Sequence, residues 1–151
     1  MSIPETFQRL QPAARAYLYG SAFMGAAQAV TWSFLTRWLN VQGYTKTEIG
    51  TFQSLDSWGK VAVALPAAFL LARRPARGVF VLSALIAGIV YIALPHLPSL
   101  RWMYAANFIA GLAMTVHYVA IAPFLFRHTG AAERAGVFSL AEAARTLAAV
   151  V

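Results

Sequence analysis

Residues 16–36, 78–94 and 102–126 contain no aspartate, glutamate, lysine or arginine. Each run approaches or exceeds the roughly 20 residues that an α-helix needs to cross a hydrocarbon core about 30 Å thick. Inside lipid every backbone N–H and C=O must be bonded within the fold, so runs of this length dictate helices. Composition points the same way. The chain is 60% hydrophobic and 11% charged, against about 45–50% and about 25% in ordinary soluble domains. Too few polar residues exist to cover a water-facing surface, which excludes a soluble enzyme, a disordered tail and a small secreted scaffold. At about 20 residues per span, 151 residues hold at most about five or six crossings.

The pattern along the chain predicts an all-α polytopic transmembrane bundle. Residues 1–15 form a short cytoplasmic tail with polar residues at intervals and Pro4 and Pro12. A first span follows over 16–38, with Tyr17, Tyr19, Trp32 and Trp38 towards its ends, where interfacial aromatics collect. After the turn Asn40–Lys46, Thr47 is the expected N-cap of a second span over 48–72, whose first turn carries Glu48 and whose interior carries Asp56, Lys60 and a kinking Pro66. The third span covers 78–94, the fourth 102–126. A fifth begins near residue 136 and is incomplete at 151. Four complete spans and the start of a fifth are therefore expected.

The formal charge of +7 does not require nucleic acid. A cytoplasmic N-terminus places Arg9, Arg15, Arg73, Arg74, Arg77, Arg127 and Arg134 inside and Arg37, Lys46 and Arg101 outside, seven against three, in agreement with the positive-inside rule. Such a chain belongs in a cytoplasmic (inner) membrane. With no cysteine there are no disulfides, thiolate metal sites or cysteine nucleophiles. No phosphate-binding loop, zinc-protease pair or nucleophile elbow occurs, and neither a metal nor a cofactor is expected.

Two i, i+3/i+4 charge pairs fall inside predicted spans. Asp56 and Lys60 share one face of the second helix, near the bilayer centre, where a lone charge costs about 2.5–3.5 kcal/mol on insertion scales. Either they neutralise each other and tolerate burial, or they border a solute pathway. Glu142 and Arg145 form a similar pair at comparable depth in the fifth helix, and the four charges together could make one network. Gln28, at mid-depth in the first span, suits a polar solute or a hydrogen bond to a neighbouring helix. His117 suits proton carriage, with an unperturbed pKa near 6.5, or a plain hydrogen bond. Asn107 reads as packing glue. Small-residue spacings at Ser21/Gly25, Gly25/Ala29, Ala84/Gly88 and Ala106/Ala110 favour close helix approach.

Several segments resemble the major facilitator superfamily. Gly43-Tyr44-Thr45 followed by Glu48-Ile49-Gly50 is similar to its entry into the second helix. The stretch from Phe69 to Gly78 falls on the signature loop G-x-L-A-D-R-x-G-R-R, matching at Leu71, Ala72, Arg74 and Arg77. Arg73 stands where the family has an aspartate, reversing the charge that helps latch the two halves. Asn107 through Gly111 is similar to the family's R-x-x-q-G in the fourth helix, with Asn107 where arginine is common. The resemblance covers residues 16–151 and implies a partial N-terminal six-helix half of a carrier, with the second helix flanking a central cavity. It further implies secondary active transport of a small polar solute by alternating access, with the lipid bilayer, the solute, and missing C-terminal helices or a second copy as partners. The competing expectation is a non-transporting accessory or assembly subunit, or an inactive truncated fragment.

Overall fold

A computed structural model describes residues 11–73, 76–130 and 134–150. Among these, five α-helices follow one another without a strand: α1 (Pro12–Val41), α2 (Lys46–Arg73), α3 (Ala76–Ala93), α4 (Leu100–His128) and α5 (Arg134–Val150), with a 3₁₀ turn at Leu94–His96 after α3. The expected segments are all helical. Most of the tail, residues 1–10, lies outside the described residues. Two helical stretches are long and apolar enough to cross a membrane on those grounds alone, Gly78–His96 with mean hydropathy 2.3 and Leu100–His128 with mean hydropathy 1.8. The other helices are diluted, α1 by tyrosine, serine, glycine and Gln28, and α2 by Asp56 and Lys60.

The turn between α1 and α2 closes both helix ends. Gly43 takes φ +85°, a region open to a residue without Cβ. Its N–H bonds to the Asn40 carbonyl and that of Tyr44 to the Leu39 carbonyl, the two bonds of a Schellman cap. The N-cap of α2 is Thr45 rather than the expected Thr47. Thr45 Oγ1 accepts the Glu48 N–H at 3.3 Å while Glu48 Oε2 accepts the Thr45 N–H at 2.8 Å. This reciprocal pair is a capping box, whose Thr-x-x-Glu spacing selects residue 45; Thr47 lies inside the helix. Both α2 and α4 continue through their internal prolines, Pro66 and Pro123.

The chain divides into two compact units, Trp38–Pro123, and Met1–Arg37 with Phe124–Val151. Within Trp38–Pro123, α2 and α4 run parallel, touching at Glu48/Tyr104, Phe52/Asn107 and Asp56/Gly111 in succession. In turn, α3 runs antiparallel to α4, with Val79 packed by Ala120 and Ser83 beside His117. The parallel pair approaches to backbone contact. A Cβ on Gly111 would overlap the Asp56 carbonyl, and one on Gly59 the Phe108 carbonyl. In the other unit, Gly25 on α1 lies equally close to the Arg145 carbonyl of α5. Gly25 therefore marks a close approach as its spacing suggests, whereas Gly88 has nothing within 4 Å of a Cβ.

Burial is arranged for lipid. Ala110, Ala120 and Asn107 are fully buried while Phe23 is 79% and Leu65 77% exposed. Large apolar side chains are exposed in series along the long helices, Tyr19, Phe23, Val30 and Phe34 on α1 and Trp58, Val61, Leu65 and Phe69 on α2. In water such patches drive aggregation; in lipid they are the solvated face, and small residues hold the helices together.

Candidate functional site

Charge and unsatisfied polarity converge on the middle of α2 in the unit Trp38–Pro123. Lys60 Nζ lies 2.5 Å from Asp56 Oδ2, as the one-turn spacing predicts, and the two differ sharply in exposure: the Asp56 side chain is 6% exposed and that of Lys60 40%. The glycine on α4 sets how closely the two helices approach. Without a side chain at Gly111 the α4 backbone settles onto the Asp56 backbone carbonyl, and the longer Lys60 side chain reaches outward. Asp56 Oδ1 is buried with no hydrogen-bond partner.

One turn before Gly111, Asn107 is 0% exposed. Its Nδ2 donates to the Phe52 carbonyl at 2.6 Å, the interhelical glue expected of it, while its Oδ1 is buried without a partner. The Tyr91 hydroxyl on α3 is a third buried polar atom lacking one, and it lies within electrostatic reach of Asp56. The sequence reading overlooked Tyr91, because a tyrosine in an apolar helix looks like ordinary packing. It also overlooked Ser83, which is buried and touches His117.

Next to this cluster, Ser83 Oγ donates to the Phe80 carbonyl at 3.1 Å and lies 3.4 Å from His117 Nδ1. The imidazole packs edge-on against Phe80 at 4.9 Å. A cavity of about 300 Å³ between α3 and α4 has Ser83 as its polar residue among Val79, Leu82, Ile86, Ile109, Leu112, Ala113 and Val116. Its lining suits an acyl chain better than a polar solute.

In the other unit Glu142 and Arg145 also pair, Arg145 Nε lying 3.2 Å from Glu142 Oε2, with Glu142 64% exposed. Gln28 is half-buried on α1. Each ion pair joins residues of one helix, and the two lie in different units. Of the signature residues, Leu71 is buried against Val79 and Ala120. Arg74 lies outside the described residues, as do the side chains of Ala72 and Arg77. No cluster of three metal-ligating side chains occurs among the described residues.

Residues 17–151 match the family profile described as Major Facilitator Superfamily. The chain belongs to the major facilitator superfamily. Members of this family are membrane transporters rather than enzymes. No curated protein and no solved structure matches the chain. In this superfamily chain the middle of α2 carries a buried carboxylate with one oxygen paired to Lys60 of its own helix and the other without a partner.

Proposed function

We propose that this protein is part of a secondary carrier that moves a small polar solute across the cytoplasmic membrane by alternating access, and that Asp56 and Lys60 border the solute pathway. On this reading α1 to α4 are complete spans, α5 begins another, and the N-terminus is cytoplasmic. The observation that carries the reading is the asymmetry of the pair. A buried pair serving only to neutralise itself repays its desolvation only when its remaining lone pairs and protons are satisfied. Asp56 is sealed with one oxygen unbonded while Lys60 reaches outward. That arrangement suits a charge that meets a ligand from one side. His117 in the same unit, and Gln28, Glu142 and Arg145 in the other, are further candidates for contact with the solute.

A charge swap tests the pair. In membrane vesicles containing the complete protein, Asp56→Lys and Lys60→Asp are each expected to lower solute uptake at least about tenfold. The double variant should recover most of it, because the attraction across one helical turn is retained. Two damaging single variants without recovery in the double would refute a paired role.

A further inference from the structure

Hydrocarbon side chains make up nearly the whole lining of the cavity of about 300 Å³ between α3 and α4. The cavity runs from Val79 to Ile86 on α3 and from Val116 to Ile109 on α4. Seven residue steps on each helix amount to roughly 10 Å at 1.5 Å per residue. One leaflet of a hydrocarbon core is about 15 Å deep, half of roughly 30 Å. Both walls belong to the two stretches long and apolar enough to cross a membrane, and the groove begins at Val79, next to the start of one of them at Gly78. It therefore follows most of one leaflet.

The lining discriminates between three occupants. Water in a cavity needs two to four polar partners. Ser83 is the one polar residue of this lining, and its hydroxyl already has the Phe80 carbonyl at 3.1 Å and His117 Nδ1 at 3.4 Å. A further helix would bring a body about 10–12 Å across, and helices in lipid approach closely through small residues. The mouth of this groove is instead edged by branched side chains, with Leu82 61% and Ile109 45% exposed. A single hydrocarbon chain is narrow and flexible enough to enter between them, and it restores the dispersion contacts that an empty groove forfeits.

Charge narrows the headgroup. Arg73, Arg74 and Arg77 precede Val79 within a few residues, and residues 57–132 contain no aspartate or glutamate. Basic residues beside a membrane segment attract anionic lipid headgroups.

We propose that the α3–α4 groove is a seat for one acyl chain of an anionic phospholipid, whose phosphate is drawn to the basic segment that precedes Val79. The seat is a lipid site and does not depend on the transport reading.

The complete protein, purified in detergent, is mixed with a phosphatidylglycerol carrying a photoactivatable diazirine in one acyl chain, irradiated, digested and mapped by mass spectrometry. Labelling is expected to concentrate on residues 79–86 and 109–116, and not on the exposed apolar faces around Phe23 and Leu65. A phosphatidylcholine with the same chains should label these segments at least about fivefold less. Ala113→Leu fills the groove from its buried side, where Ala113 is 6% exposed, and Ile109→Phe narrows its mouth. Each is expected to lower labelling at least about fivefold, by occupying the space of the chain. If Ala113→Leu does not fold, Ile109→Phe carries the test alone. Labelling that is spread evenly over all apolar faces, or that neither variant lowers, overturns the proposal, because lipid then merely surrounds the protein. Equal labelling by the two phospholipids overturns it too, since the seat would not select an anionic headgroup. Labelling around Phe23 and Leu65 with none on the two groove segments also overturns it, and assigns the groove to another helix of the complete protein.

Discussion

Asp56–Lys60 and Glu142–Arg145 look alike in the sequence, each an acid followed within one turn by a base inside an apolar segment. Both form an ion pair. They differ in what lies against them: the Asp56 side chain is 6% exposed, that of Glu142 64%. Spacing along one helix decides which side chains meet. Burial is decided by the neighbouring helix: a glycine on another helix presses against the backbone of both pairs, at the acid Asp56 in one and at the base Arg145 in the other. The same kind of pair thus has a buried acid in one region and an exposed acid in the other.

The largest effect follows from breaking that backbone contact. Gly111→Leu sets a side chain where the Asp56 carbonyl lies, and backbone cannot rotate aside as a flexible side chain does. The expected loss is about 3 kcal/mol, the upper end of the overpacking range. Gly20→Leu, where nothing lies within 4 Å of a Cβ, should be neutral or slightly stabilising through helix propensity. Thermal unfolding followed by circular dichroism in micelles compares them. Equal melting temperatures would show that Gly111 does not set how closely the two helices approach.

A smaller effect separates the two members of the buried pair. Lys60→Met leaves a sealed carboxylate uncompensated, with an expected cost of roughly 2 kcal/mol. That is less than the 3–5 kcal/mol for a fully buried pair, because Lys60 is itself 40% exposed. Asp56→Asn should cost less than about 1 kcal/mol, since the long lysine stem lets its charge turn towards a wet pathway. The same unfolding measurement checks the order. Should Asp56→Asn prove as damaging as Lys60→Met, the exposed side of Lys60 faces lipid and the pathway reading loses its support.

Much of this was legible in the sequence, and the physical reason is locality. Charge-free runs pointed to helices, because a segment apolar enough to lie in lipid must bond every backbone N–H and C=O within itself. The i, i+4 rule gave the Asp56–Lys60 pair. Thr45 was also legible, for its distance to Glu48 is that of a capping box, but Thr47 stood closer to the apolar run. What the residues could not reveal depends on register between helices. Tyr91 lies far from Asp56 in the chain, and only the antiparallel course of α2 and α3 brings it near. Gly59 and Gly111 contact a neighbouring backbone while Gly88 does not, although all three lie in apolar helices. Which face a glycine presents is a property of the assembled unit.

The smallest effect closes the comparison at its exposed member. Glu142→Gln removes one charge from a pair whose acid is mostly in contact with its surroundings. Exposed helical pairs contribute about 0.3–0.5 kcal/mol and are weakened by salt. The expected change is within about 0.5 kcal/mol, and raising the salt concentration should shrink it further, whereas the loss on Lys60→Met should change little, because ions cannot screen a sealed carboxylate. Unfolding of both variants at low and high salt measures this. A loss for Glu142→Gln as large and as salt-resistant as that for Lys60→Met would mean that Glu142 is as sealed as Asp56, and the difference between the two pairs would not hold.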